Sequence, residues 1–496
     1  MLTNFYWILP EVFIACGSTL LLGYGVVLVK FGSRVVSLQK LHWLVVLVLL
    51  ISALLLIEQL GFSGPSNLLI CNGYLASSEY ITGIKLVLVL SSALILVLSM
   101  ESTIADSILD YEFSMLILLS TLGMMLLISS NDLIMLYLAV ELLSLSFYVL
   151  AGIKRDSQHS TEAALKYFLL GALSSGLLLF GMGLVYAFTG ETSFDGLSQI
   201  LWYSVNDTEV IIGAIFMLIA LLFKVAAAPF HQWIVDTYEG APTIVTAFFA
   251  IVPKIATLGV IILLVTGPFL PLWDQLQPLV AFTAVASLFV GSIGALNQAK
   301  LKRLLAYSAI THIGFLLIAV LPNTILSLHA AFVYLVLYII MSFNTFTFVL
   351  ATFKHGNFIT QLSGLSRYNP VLAFTFAFTL LSVAGVPPLA GFYSKYLVLL
   401  EAINSEFYAV AILAIIASCI ASFYYLRIIK WMFFKDTQFF HMKDIGDCLY
   451  PINTQLQVSF IQSIILGSTS WIILTFLFYP GPLVTFSTNI IISSLV

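Results

Sequence analysis

Charge is what this sequence has least of. Of 496 residues only 8% are Asp, Glu, Lys or Arg, whereas 61% are hydrophobic and the mean hydropathy is +1.09. A water-soluble globular domain carries about 25% charged residues, so this composition excludes that class. Cysteine is scarce as well: Cys16, Cys71, Cys419 and Cys448 show no CxxC spacing, which leaves an iron–sulfur cluster, a zinc site and a disulfide framework without support. A P-loop, a Rossmann-type glycine fingerprint after a strand and a paired-histidine haem pattern are also missing, so the chain is expected to bind no cofactor and to have no chemical energy source of its own. The opening MLTNFYWILPEVF has neither the basic stretch of a signal peptide nor the Arg-rich pattern of a transit peptide, and its apolar run is expected to be kept as a span.

What recurs from end to end is an apolar run of about 20 residues, the length that crosses a bilayer as a helix. Hydrocarbon offers no water to unpaired backbone groups, so runs this continuous are helices rather than the alternating strands of a barrel. The fold class expected is an all-α polytopic membrane protein with about fourteen transmembrane helices. They are placed at 7–29, 42–60, 80–100, 114–130, 132–152, 162–188, 209–235, 242–266, 272–296, 303–321, 325–353, 370–402, 408–434 and 458–484.

The cations sort by side. Fourteen of the nineteen Lys and Arg fall in connections after odd-numbered helices: Lys30, Arg34 and Lys40; Lys154 and Arg155; Lys300, Lys302 and Arg303; Lys354 and Arg367; Arg427, Lys430, Lys435 and Lys443. The other five, Lys85, Lys166, Lys224, Lys254 and Lys395, lie within helices, which leaves none for the opposite loops. Because cations set orientation, odd-numbered helices are expected to run inward and both termini to face the outer phase.

Two helices carry breaks. In the seventh, Lys224 precedes Ala-Ala-Ala-Pro229-Phe-His231; in the twelfth, Gly385-Val-Pro387-Pro388-Leu-Ala-Gly391 precedes Lys395. Proline removes a helix hydrogen bond, and irregular backbone at membrane depth is tolerated only where it lines a cavity or is buried in protein. The breaks lie five spans apart, an odd number, so two five-helix units containing them enter the membrane from opposite sides, as in inverted-repeat transporters. The expected division of this single transmembrane domain is 1–105 for three leading helices, 106–266 for the first repeat, 267–435 for the second, and 436–496 for a loop and the last helix. The ordinary abundance of Pro and Gly in membrane helices is the competing explanation of the breaks.

A charge at the centre of a membrane helix costs about 3 kcal/mol even on the mild insertion scale, so several of them mark an ion or proton path. Glu141 lies about nine residues into the fifth helix, roughly 13 Å from either end and too deep to snorkel. A buried carboxylate stays ionised beside a lysine, so Glu141 is expected to pair with Lys224; a purely structural ion pair is the alternative. Lys254 follows Pro253 at the middle of the eighth helix and Lys395 follows the twelfth-helix break, and each can load or release a proton as its neighbourhood changes. His312, near mid-depth in the tenth helix, has the chemistry to relay protons between lysines on either side, although a satisfied core histidine would occupy the same place. Lys85 and Lys166 lie nearer helix ends, where snorkelling is possible, and rank lower. Ser174 and Ser175 with Gly171, Gly176, Gly181 and Gly183 of the sixth helix read as close helix packing.

The segments NDLIMLYLAVELLSLSFYVLAG, FKVAAAPFHQWIVDTYEGAPT, LKRLLAYSAITHIGF and SVAGVPPLAGFYSKY together resemble the antiporter-like membrane subunits of respiratory complex I, and the resemblance covers essentially the whole chain. It implies a proton path through Glu141, Lys224, Lys254 and Lys395, with His312 from the tenth helix and Lys166 from the sixth. It also implies packing in a row with sister antiporter-like subunits among lipids, with NADH, FMN, iron–sulfur clusters and ubiquinone all handled by partner chains. Nucleic acid is not an expected partner. Moving one proton costs about 2.3 kcal/mol per 100 mV, energy that would come from quinone reduction elsewhere. The three leading helices match the long form of the subunit, and the 39 Phe suggest an organelle-encoded, plant-mitochondrial type in the inner membrane, with a bacterial plasma-membrane chain as the alternative. A cation/proton antiporter subunit and a structural membrane-arm subunit remain as rival classes.

Overall fold

The computed structural model describes residues 2–31, 34–61, 68–105, 111–203, 207–353, 358–435 and 458–495. Twelve helices among the described residues are long and apolar enough to cross a membrane, joined by two shorter apolar helices, Pro370–Ala384 and Phe460–Thr475. Each expected span falls on one helix or on a broken pair. The first six are α1 (Leu2–Phe31), α2 (Arg34–Gly61), α3 (Glu79–Ala105), α4 (Glu112–Ser129), α5 (Leu133–Ala151) and α6 (Gln158–Thr189). A short amphipathic helix, α7 (Phe194–Leu201), follows in what the sequence presents as a plain connection.

The seventh span is split into α8 (Thr208–Val225) and α9 (Gln232–Gly240), and then come α10 (Thr243–Thr266), α11 (Trp273–Leu296), α12 (Leu301–Val320) and α13 (Ile325–Thr352). After the single turn α14 (Leu365–Tyr368), the twelfth span is split into α15 (Pro370–Ala384) and α16 (Ala390–Asn404), and α17 (Tyr408–Phe434) follows. The chain's end differs from expectation. Instead of one helix over 458–484, α18 (Phe460–Thr475) stops before Pro480 and a separate α19 (Gly481–Leu495) turns back, packing Ile490 over Gly83 of α3 and Phe486 beside Phe332 of α13. Pro480 follows the turn at 476–478, and Pro482 stands in the first turn of α19, where its missing N–H is tolerated.

Burial ranks the helices. The apolar windows of α10 and α12 are 94% and 89% buried, against 28% for α1 and 33% for α17, so α10 and α12 are central and α1 and α17 peripheral. Close crossings depend on glycine: a Cβ on Gly181 of α6 would lie 2.7 Å from the Gly213 carbonyl of α8, and one on Gly291 of α11 would lie 2.7 Å from the Thr311 amide of α12. Gly176 and Gly183, by contrast, face open space and are not packing residues.

One end is capped by non-helical chain. Strands β1 (Leu68–Ile70) and β2 (Leu75–Ser77) pair antiparallel, and Asn131 in the α4–α5 turn binds the Tyr74 carbonyl through its amide and Asp195 of α7 through its side chain. Asp132 caps α5 at the Ile134 amide (2.8 Å) and accepts from Thr192 (2.7 Å), so two polar residues tie hairpin, turn and α7 together.

Candidate functional site: a line of buried cations

The two breaks share a backbone plan. Helix α8 ends at Ala226 (φ +67°) and α15 at Gly385 (φ +91°), each in the left-handed region, and a proline, Pro229 or Pro388, stands three residues later. The lysines occupy opposite sides of that plan. Lys224 is the penultimate residue of the leading half-helix, whereas Lys395 belongs to the trailing one.

This difference changes what each ammonium meets. At the first break Trp233 Nε1 donates to the Phe223 carbonyl (2.8 Å), and the buried Lys224 Nζ has no hydrogen-bond partner among the described residues and lies 5.9 Å from the Tyr148 ring centroid. At the second, Lys395 Nζ itself donates to the Val383 (2.9 Å) and Ala384 (2.7 Å) carbonyls, the orphaned end of α15.

Glu141 does not make the direct ion pair expected with Lys224. It lies in the stripe Ile134, Leu138, Leu145 and Val149, all exposed, so its carboxylate points partly off the molecule; Ser144 donates to it at 3.3 Å and the Tyr137 hydroxyl stands beside it. Tyr148 sits between, its ring toward Lys224 and its hydroxyl near Ser144, and the two charges attract at a distance.

From Lys224 the polar groups continue inward. Lys224 and Lys254 line one small cavity with Tyr167, Trp233 and Tyr238, comparable in size to a single water. Lys254 Nζ then donates to the Tyr338 hydroxyl at 2.8 Å. The Tyr338 ring centroid is 5.2 Å from that of His312, whose Nδ1 is 2.7 Å from the Tyr334 hydroxyl. His312 and Lys395 finally line another cavity with Thr311 and Tyr425. The structure therefore brings Lys224, Lys254, His312 and Lys395 into one buried series, with Glu141 at its end.

Lys166 stands apart. Half-exposed, it pairs with Glu162 (2.8 Å) and Asp236 (2.9 Å), and Arg303 and Lys300 extend this surface network to Glu239. Lys85 departs from the sequence expectation of snorkelling: it is buried, 2.5 Å from Glu11 of α1. Sequence reasoning missed Glu11 and the tyrosines. For Tyr334 and Tyr338 a signal existed, since a four-residue spacing puts both hydroxyls on one helical face.

Residues 130–421, more than half of the chain, match the family model described as NADH:quinone oxidoreductase/Mrp antiporter, TM. The chain belongs to that family. NADH-quinone oxidoreductase subunit N of Paramagnetospirillum magneticum is 39% identical over 96% of this chain and 95% of its own length, and NADH-ubiquinone oxidoreductase chain 2 of Marchantia polymorpha is 38% identical over 97% and 96%. Within the family, this is a chain of the subunit N, or chain 2, type. A chain of respiratory complex I from Thermus thermophilus superposes with a TM-score of 0.78 at 27% identity, covering 96% of this chain and 98% of that one. A chain of the Mrp complex from Dietzia sp. superposes at 0.81 over both whole chains, but at 20% identity it shows the fold alone.

Proposed function

We propose that this chain is a proton-translocating membrane-arm subunit of respiratory complex I in which Glu141, Lys224, Lys254, His312 and Lys395 hand protons along one relay. The observation that carries the proposal is the buried series that runs from Lys224 through one cavity to Lys254, past Tyr338 to His312, and through another cavity to Lys395. A scaffold has no use for three buried lysines, Lys224, Lys254 and Lys395, that make no direct carboxylate ion pair among the described residues, each of which costs several kcal/mol to desolvate. A separate cation/proton antiporter would share the fold, but the relatives matching along the whole length at 38–39% identity are complex I subunits.

Within that complex the chain's part is proton movement without electron transfer. Its described cysteines, Cys16, Cys71 and Cys419, are free and far apart in sequence, which gives an iron–sulfur cluster no support among the described residues; in this reading NADH, FMN and ubiquinone are likewise handled by partner subunits. The α5 stripe is a contact for a neighbouring membrane-arm subunit, because a carboxylate facing hydrocarbon costs about 3 kcal/mol that a polar neighbour removes. Lys166 works at the inner mouth among Glu162, Asp236 and Arg303 rather than in the buried series.

The cation asymmetry supports a topology with both termini in the outer phase. The shared break plan, five spans apart, supports a division into 1–105, 106–266, 267–435 and 436–496. The Phe-rich composition favours a plant-type mitochondrial inner membrane over a bacterial plasma membrane; fractionation of the native source separates the two.

The reading is tested in the assembled complex. Lys254→Ala is expected to lower NADH-driven proton translocation about tenfold or more while NADH oxidation by a soluble artificial acceptor continues. Unchanged translocation would overturn the relay.

A further inference from the structure

The two halves of the relay meet at one side chain. Lys224 and Lys254 share one cavity and His312 and Lys395 another, and neither cavity joins Lys254 to His312. Tyr338 stands between these two residues. Its hydroxyl accepts from Lys254 Nζ at 2.8 Å, its ring lies 5.2 Å from the His312 ring, and it lines a third cavity together with His312, Ser308 and Tyr425. We propose that the Tyr338 hydroxyl carries the proton between Lys254 and His312, an inference that rests on the relay reading above.

The step balances without an outside reactant. An N–H bond of the Lys254 ammonium breaks as its proton joins the Tyr338 oxygen, and the phenolic O–H bond breaks as the other proton passes to His312. The transfer to His312 runs through a water in the shared cavity, which has room for one. Lys254 is left as an amine, His312 as an imidazolium, and Tyr338 regains its hydroxyl, which rotates to reset. A phenol suits this place because it accepts and donates at the same oxygen, where a lysine ammonium can only donate. Tyr334 has a different part: bonded to His312 Nδ1 at 2.7 Å, it leaves Nε2 for the exchange and is a positioning residue.

The bland alternative is that Tyr338 merely holds the Lys254 ammonium in place. The titratable groups around it are Lys254 from α10, His312 from α12, Tyr238 from α9, Tyr425 from α17 across the shared cavity, and Tyr334 one turn away on its own helix. The test uses the assembled complex in sealed vesicles with three variants: Tyr338→Phe, Tyr338→trifluorotyrosine and Lys254→Ala. Tyr338→Phe is expected to lower proton translocation about tenfold or more. Trifluorotyrosine, of the same shape but more acidic, is expected to keep translocation at low pH and to move the alkaline limb of its pH profile to lower pH. Wild-type translocation in Tyr338→Phe overturns the proposal, and so does a wild-type pH profile in the fluorinated variant, which alone decides if Tyr338→Phe fails to assemble. Lys254→Ala tells the two levels apart: if it too translocates normally, the relay reading falls as well.

Discussion

Glu11 and Lys85 form a buried ion pair, 2.5 Å from Oε1 to Nζ with 5% and 4% of their side chains exposed, that joins the first helix to the third. Removing one partner of such a pair costs about 3–5 kcal/mol because the other charge is stranded, whereas apolar replacement of both is often neutral. Lys85→Ala is therefore expected to deplete the assembled complex on a native gel, and the double change Glu11→Leu with Lys85→Met to restore it. The complex that does assemble should keep its protons per electron, since the pair lies outside the relay. A lowered ratio would place Lys85 in the path.

At the second break, Gly385 sits at φ +91° and a Cβ there would lie 2.9 Å from Lys395 Cδ and 3.1 Å from Nζ. Gly385→Ala combines a left-handed backbone cost of about 1–2 kcal/mol with displacement of the ammonium from its carbonyls. It should impair translocation as Lys395→Ala does. Ala226 already bears that cost at φ +67° in the first break, so Ala226→Gly is expected to be neutral or slightly stabilising. Translocation in Gly385→Ala equal to wild type would show that the Lys395 contacts are dispensable.

Most of the membrane helices were legible in the sequence because a span needs only a run of apolar residues, and the breaks because Pro229, Gly385, Pro387 and Pro388 announce them. Lys254, His312 and Lys395 were legible as deep polar groups. Contacts were not. Glu11 and Lys85 lie 74 residues apart, and each alone reads as a tolerable charge near a helix end. The Glu141–Lys224 contact failed because helical phase puts Glu141 on the outer stripe and Tyr148 fills the space between, neither of which depth alone reveals. Tyr338 was overlooked because tyrosine is ordinary in membrane helices and only its partner gives it a role. The end of the last span is marked in the sequence by Pro480-Gly481-Pro482, a turn signal that the apolar run on either side masks.

Topology has a direct readout in the native thiols. Cys71 is exposed in the hairpin turn after the second helix, on the side expected to face outward, and Cys448 belongs to the connection after the thirteenth, outside the described residues. A membrane-impermeant maleimide is expected to label Cys71 from the outer phase only and Cys448 from the inner phase only. Labelling of both from one side would make the cation asymmetry uninformative and undo the inverted-repeat argument.

The central claim is that Glu141 and Lys395, at opposite ends of the buried series, belong to one proton path. Groups acting as a unit are non-additive on removal, whereas independent groups multiply their losses. The measurement is protons translocated per NADH oxidised, in sealed vesicles holding the assembled complex, for Glu141→Gln, Lys395→Ala and the double variant. One path predicts that each single change depresses the ratio and that the double variant is no worse than the worse single. Losses that multiply, or a normal ratio in either single variant, would contradict it.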